Sequence, residues 1–294
     1  MNRYFGNRLA VFVFAFPALL LFTAFVIYPL FPEMMISLQN HDGFKSEGFV
    51  GLANYMDVLN SQTFWQANKN TLLVVALSIF VGLPISLMLA LLMDAQTPSI
   101  RRFFKAAAVF PAVLSVTVVA QMWIAFYEPT WGLFNEILRT VGLGHLAKQW
   151  LTDKDTALIS VAVALFWQYI GLNALLFYTG IKSIPKTYYE AALIDGAGYV
   201  KASIKITIPL LQDVVKYVLI ISTLGSMALY AHVRIMTMGG PGDASRTIVY
   251  QMYYTAFERS EFGKGTATAM LFIIECLIIS FLINRFVARE KIEI

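Results

Sequence analysis

Few residues in this chain are equipped for chemistry, and most of them stand inside or beside long apolar runs. Glu275 is the one acid within such a run. A carboxyl group there is a candidate proton carrier; the competing reading is a protonated or hydrogen-bonded group facing a partner helix. Trp167, Gln168 and Asn173 stand in one run, and Ser222, Ser226 and Tyr230 in another. Ser222, Ser226 and Leu229 recur at i, i+4 and i+7 and so share a helix face. Amides, hydroxyls and rings of this kind either hydrogen-bond between helices or line a route through them, and both readings stand. His41, His145 and His232 lie far apart, and the lone Cys276 can form no disulfide within the chain, so no metal site is expected. No G-x-x-x-x-G-K-[ST] stretch occurs, and Gly263-Lys264-Gly265 is not one. A phosphate-cradling loop is therefore not legible. An enzyme embedded in the membrane would need clustered acid, base or metal groups, and none is evident.

The elements that must hold these residues follow from composition. The 294 residues are 58% hydrophobic and 14% charged, with a mean hydropathy of +0.66, whereas a soluble domain carries about 25% charged residues. A soluble enzyme and a disordered chain are both excluded. A hydrocarbon core of roughly 30 Å takes about 20 helical residues to cross. Six spans are expected, at 9–29, 71–93, 106–127, 157–180, 214–230 and 266–287, in a single domain over 1–294. The first is too long for a signal-peptide core and lacks a cleavage site, so it is read as retained. Pro17, Pro84 and Pro111 fall inside spans, where kinks are expected. With the N-terminus inside, the inner segments carry 13 Lys/Arg against 6 Asp/Glu and the outer ones 9 against 11. Basic inner loops predict an N-in, C-in arrangement and account for the net charge of +4 without nucleic acid. The outer segment 128–156 holds Leu133, Phe134, Ile137, Leu138 and Val141 before Gly142 and Gly144, a pattern that predicts a short amphipathic helix on the outer surface.

The fourth and fifth spans are joined by an inner polar loop, 181–213. It reads Ser183-Ile-Pro-Lys-Thr-Tyr-Tyr-Glu190-Ala191-Ala192-Leu-Ile-Asp195-Gly196-Ala197-Gly198, then Ile206-Thr207-Ile208-Pro209. Pro185 suits a helix start and the glycines suit its end. A helix of about eleven residues is predicted, then a sharp turn, then a second helix over 199–208. A short helix held along the membrane is a docking surface rather than a place for covalent chemistry.

Glu190-Ala191-Ala192, three residues, Gly196, nine residues and Ile206-Thr207-Ile208-Pro209 resemble the EAA signature of permease subunits of bacterial binding-protein-dependent ABC importers. Ile208 replaces the family's Leu. Met236-Thr237-Met238-Gly239-Gly240-Pro241, Thr247, Tyr250, Ala256-Phe257 and Phe262-Gly263 resemble the maltose-type carbohydrate-uptake group, first-subunit type. The resemblance spans the whole chain. It implies an all-α, six-helix type I importer transmembrane domain in a bacterial plasma membrane, with 181–213 as the coupling loop. It implies as partners a second homologous permease, two ATPase subunits holding ATP and Mg, an extracytoplasmic sugar-binding protein, a sugar and membrane lipids. No cofactor is implied in this chain. It assigns Glu190, Ala191, Ala192, Asp195, Gly196 and Pro209 to ATPase coupling. It makes Trp167, Gln168, Asn173, Ser222, Ser226 and Tyr230 candidates for the sugar pathway, where rings stack on sugar faces and amides or hydroxyls bond sugar hydroxyls. His232 and Arg234 are placed at the outer end, as interfacial or binding-protein contacts. The alternative function is a secondary sugar carrier driven by an ion gradient, which would need intramembrane acids and an inverted repeat.

Overall fold

The computed structural model describes residues 8–287, with side chains described from residue 12. In chain order its elements are α1 over 8–37, strands β1 (Gln39–His41) and β2 (Ser46–Phe49), α2 (Ala53–Asn60), α3 (Gln62–Asp94), α4 (Pro98–Val113), α5 (Val116–Phe126) and α6 (Leu133–Thr140). There follow α7 (Ala157–Ser183), α8 (Lys186–Ile194), α9 over 199–210, α10 (Gln212–Met227), α11 (Ala231–Met236), α12 over 248–258 and α13 (Phe262–Phe286). Phe12–Ser37, Gln62–Asp94, Ala157–Ser183, Gln212–Met236 and Phe262–Phe286 are each long and apolar enough to cross a membrane. The α4–α5 pair is a sixth such stretch, bent by 98°.

Contacts divide the described residues into two compact units, 8–61 with 252–271, and 62–251 with 272–287. In the first, α1 carries apolar side chains on every side, Phe14 being 84% exposed. The β1–β2 hairpin follows, and Asn54 of α2 ties down its start by donating to the carbonyls of Ser37 and Gln39 at 2.9 and 2.8 Å.

The second unit is built around the C-terminal halves of α3 and α7 and the N-terminal half of α10. Leu83, Ala90, Phe177, Tyr178, Leu211 and Val218 form its buried cluster. Gly171 of α7 lies against the backbone of α4, where a Cβ would stand 2.0 Å from the Ala108 carbonyl oxygen. Only a residue without a side chain permits that crossing. Arg101 closes the end of α3 by donating to the carbonyls of Met93, Asp94 and Gln96, and Lys182 pairs with Asp94. Glu128, at the outer end of α5, accepts from the Trp131 and Thr130 backbone N–H groups and the Thr130 hydroxyl, each at 2.7 Å. The Trp131 N–H is the chief reason its carboxyl is held below the ordinary range. This turn leads into α6, whose Leu133 and Ile137 are exposed, as is Val141 just past its end.

Three prolines meet the helices in the same way. Pro29, Pro84 and Pro209 each follow a π turn by two residues: Thr23–Ile27, Ser78–Gly82 and Ser203–Thr207. A proline ring collides with the carbonyl four residues back and has no N–H to give it. That carbonyl falls in the middle of each π turn, and widening the turn moves it aside. The first helix consequently runs on to Ser37, past the expected end at 29. The expected span over 106–127, with its kink anticipated at Pro111, is instead broken at 114–115. Leu114 and Ser115 are extended, with ψ of 144° and 146°, and the Ser115 hydroxyl accepts from the Val118 N–H at 3.3 Å. A proline at 111 and a capping serine at 115 favour ending one helix and starting another. The fifth stretch also breaks, at 228–230, between α10 and α11.

Candidate functional site

The second unit holds a cavity of about 400 Å³ bordered by α3, α7, α10 and the start of α11, a size that suits a small ligand. The α10 face proposed from spacing supplies Ser222 and Ser226, α7 supplies Asn173 and Tyr169, and Tyr230 and His232 lie at the α10–α11 break. Asn173 Nδ2 donates to Ser222 Oγ at 3.0 Å, so the serine's own O–H is directed elsewhere. Tyr230 stacks on Tyr250, with ring centroids 6.3 Å apart. Four of the six pathway candidates, Asn173, Ser222, Ser226 and Tyr230, thus come together on one surface.

Trp167 and Gln168 do not border that cavity. Trp167 meets Trp123 edge-on at 6.0 Å. Gln168 is 1% exposed; its Nε2 donates to the Leu114 carbonyl at 3.1 Å, and its Oε1 lies 3.0 Å from His232 Nε2. It therefore satisfies the carbonyl left over where α4 ends, which a buried break requires. His232, read from sequence as an outer contact, is buried and borders the cavity. Its position two residues past the expected end of a span hid it. Arg234 follows on α11, within the same membrane-length stretch, Gln212–Met236.

Glu275 faces α3, where its Oε1 accepts from Asn68 Nδ2 at 2.5 Å. Cys276 Sγ lies 4.0 Å from Met227 Sδ. Among the described residues no group of three His, Cys, Asp or Glu is placed to hold a metal.

The 181–213 loop folds as two short helices. α8 ends in a Schellman turn: Ala197 N donates to the Ala192 carbonyl at 2.8 Å and Gly196 N to that of Leu193 at 3.1 Å. Gly196 has φ +69°, the left-handed conformation that glycine adopts without strain. α9 returns beside α8, joined by Tyr189 Oη to Thr207 Oγ1 at 3.0 Å. Tyr199 Oη donates to the Leu91 carbonyl at 2.6 Å, and burial, with Asp94 nearby, raises that phenol and keeps it a donor. Ala192 is buried against this frame, while Glu190, Ala191, Asp195, Gly196 and Pro209 are exposed. Ala191, Asp195, Lys201 and Lys205 border a groove of about 550 Å³ between the two helices. Leu193, Ile194 and Val200, which sequence reasoning passed over, are 71%, 87% and 69% exposed. A nine-residue helix that buries Ala192 turns neighbouring apolar residues outward.

A family profile described as binding-protein-dependent transport system inner membrane component matches residues 3–292. The probable ABC transporter permease YurN of Bacillus subtilis (strain 168) is 33% identical over 292 residues, covering 98% of this chain and 99% of that one. The arabinooligosaccharides transport system permease AraP of the same organism is 32% identical over 284 residues, covering 96% and 89%. Among solved structures, a bacterial ABC transporter involved in the import of the acidic polysaccharide alginate superposes with a TM-score of 0.81 at 21% identity, over 95% of each chain. At that identity the likeness establishes the fold, a type I ABC importer transmembrane domain. With the matched span covering nearly every residue, the chain belongs to the inner membrane components of binding-protein-dependent transport systems and is a multi-pass membrane protein.

Proposed function

We propose that this permease forms, with a second homologous permease, the transmembrane route of an ATP-driven carbohydrate importer in a bacterial plasma membrane. One of two ATPase subunits docks on α8, the pair hydrolyses ATP with Mg, and an extracytoplasmic binding protein delivers the sugar. The observation that carries this reading is the cavity that α3, α7 and α10 border. It presents hydroxyls, an amide and aromatic rings, the groups that bond and stack on sugars. The relatives named for oligosaccharide transport support the same substrate class. Glu190 and the exposed Leu193 and Ile194 give α8 a charged and apolar docking face, and α7 and α10, which flank the loop, connect that face to the cavity walls.

Energy source provides the test. In cells producing the complete transporter, sugar uptake should stop when ATP is depleted while the proton gradient is held. Uptake should persist through an uncoupler when ATP is maintained. The reverse pattern would replace this reading with a gradient-driven carrier.

A further inference from the structure

The hydrogen bonds around Gln168 determine which way the polarity of a cavity wall runs. The Leu114 carbonyl can only accept, so the group 3.1 Å from it is the Gln168 amide N–H. The other end of that amide, Oε1, also can only accept, and it faces His232 Nε2 at 3.0 Å. The imidazole must therefore donate from Nε2. A buried charge needs an opposite one. The partner here is a neutral amide, so the ring is neutral with a single N–H. Nδ1 then keeps its lone pair. His232 is 3% exposed and borders the cavity, so its ring has, at Nδ1, an acceptor that cannot rotate into a donor, unlike the hydroxyls of Ser222 and Ser226.

We propose that His232 Nδ1 is a binding contact for the transported carbohydrate, accepting a hydrogen bond from one of its hydroxyls, and that Gln168 is a positioning residue that sets the ring's tautomer. This rests on the reading of the cavity as the sugar route. It makes the site selective for a hydroxyl donor at one point of the sugar ring: a deoxy or O-methyl analogue at that point loses the bond. Gln168 thus acts on substrate without touching it.

The chain has three histidines, which makes the tautomer directly observable. The complete transporter is prepared with this chain carrying imidazole-¹⁵N histidine and the substitutions His41→Asn and His145→Asn. If those substitutions hinder assembly, the His232 signal is assigned instead by its loss in His232→Asn. Nitrogen NMR should show Nε2 protonated and Nδ1 bare, and Gln168→Leu should yield a mixture of tautomers. A protonated Nδ1 in the unsubstituted site overturns the proposal. Arabinotriose, maltose and diacetylchitobiose are then added as probes. At least one should move the Nδ1 resonance, and should also protect Ser222→Cys and Ser226→Cys, in a Cys276→Ser background, from a water-soluble thiol reagent. Protection without any change at Nδ1 overturns the role of His232 and leaves the sugar cavity standing. Neither effect with any of the three sugars overturns the cavity reading and the proposal together. For a sugar that is transported, His232→Phe should raise the half-saturating concentration for uptake about tenfold, the scale of one lost hydrogen bond. His232→Asn, which restores an acceptor near Nδ1, should recover most of it. Equal loss in both variants overturns the acceptor role.

Discussion

A polar side chain inside an apolar helix needs a partner, and the partner determines what the residue does. Glu275 is legible in the sequence as an intramembrane acid, but Asn68, 207 residues away, is not legible as its partner. The 2.5 Å contact makes Glu275 a clasp between α3 and α13. Glu275→Gln keeps an oxygen that can accept from Asn68, so assembly and uptake should be retained. Glu275→Leu leaves the buried Asn68 amide without that acceptor, which costs about 1–3 kcal/mol. Thermal unfolding of the detergent-solubilised transporter should fall for Leu and hold for Gln. Transport lost in Glu275→Gln with assembly intact would reinstate a proton-carrying role. Gln168 makes the same point: as a polar group in an apolar run it was equally a pathway residue or an interhelical bond. Its contacts at 54 and 64 residues' separation tie α7 to the α4–α5 break and to α11.

Three helices in this chain carry a widened turn ahead of a proline, and the loop helix is terminated where glycine permits an irregular turn. Of prolines 29, 84 and 209 only Pro84 was expected from sequence to disturb a span, while Pro17 and Pro111, expected to do the same, lie inside α-helix. The form of that disturbance, a widened turn rather than a kink, depends on whether the surroundings can hold the helix axis straight through it. At α8 the position of Gly196 was legible because its role is local. Gly196→Val would force a β-branched residue to φ +69°, where even an unbranched residue loses about 1–2 kcal/mol. With open space around this position, unwinding of the turn should relieve the strain and displace Ala197 from Ala192. Hydrolysis of ATP stimulated by the binding protein should drop at least about tenfold in the complex for Val. It should survive in Gly196→Asn, because Asn adopts the left-handed region. Equal loss in both would refute the backbone argument and leave only crowding at the docking face.

For the molecule as a whole, charge distribution predicts which loops face which side. The 181–213 loop belongs inside and the 128–156 segment outside. Lys201→Cys and Lys154→Cys, each in Cys276→Ser, put one thiol in each. A membrane-impermeant reagent should label the second in intact cells and the first only after permeabilisation. The opposite result would invert the topology and remove α8 from the side where ATP is hydrolysed.

The membrane class, the approximate places of the spans and the α8 turn were determined by the sequence alone. Each rests on local quantities: the length of an apolar run, the balance of basic residues, a glycine four residues after Glu-Ala-Ala and two before the next glycine. Tertiary structure decided where the third span breaks, which polar residues share a cavity and which serve as ties. Asn173, Ser222, Ser226 and Tyr230 meet because α7 and α10 turn particular faces toward each other, and Gln168, on the same helix as Asn173, is turned to the α4–α5 break. An apolar helix in a membrane has no hydrophobic stripe to set its rotation. Rotation is then set by close packing, such as Gly171 on Ala108, and by buried hydrogen bonds between residues far apart in the chain. Neither leaves a period in the sequence to read.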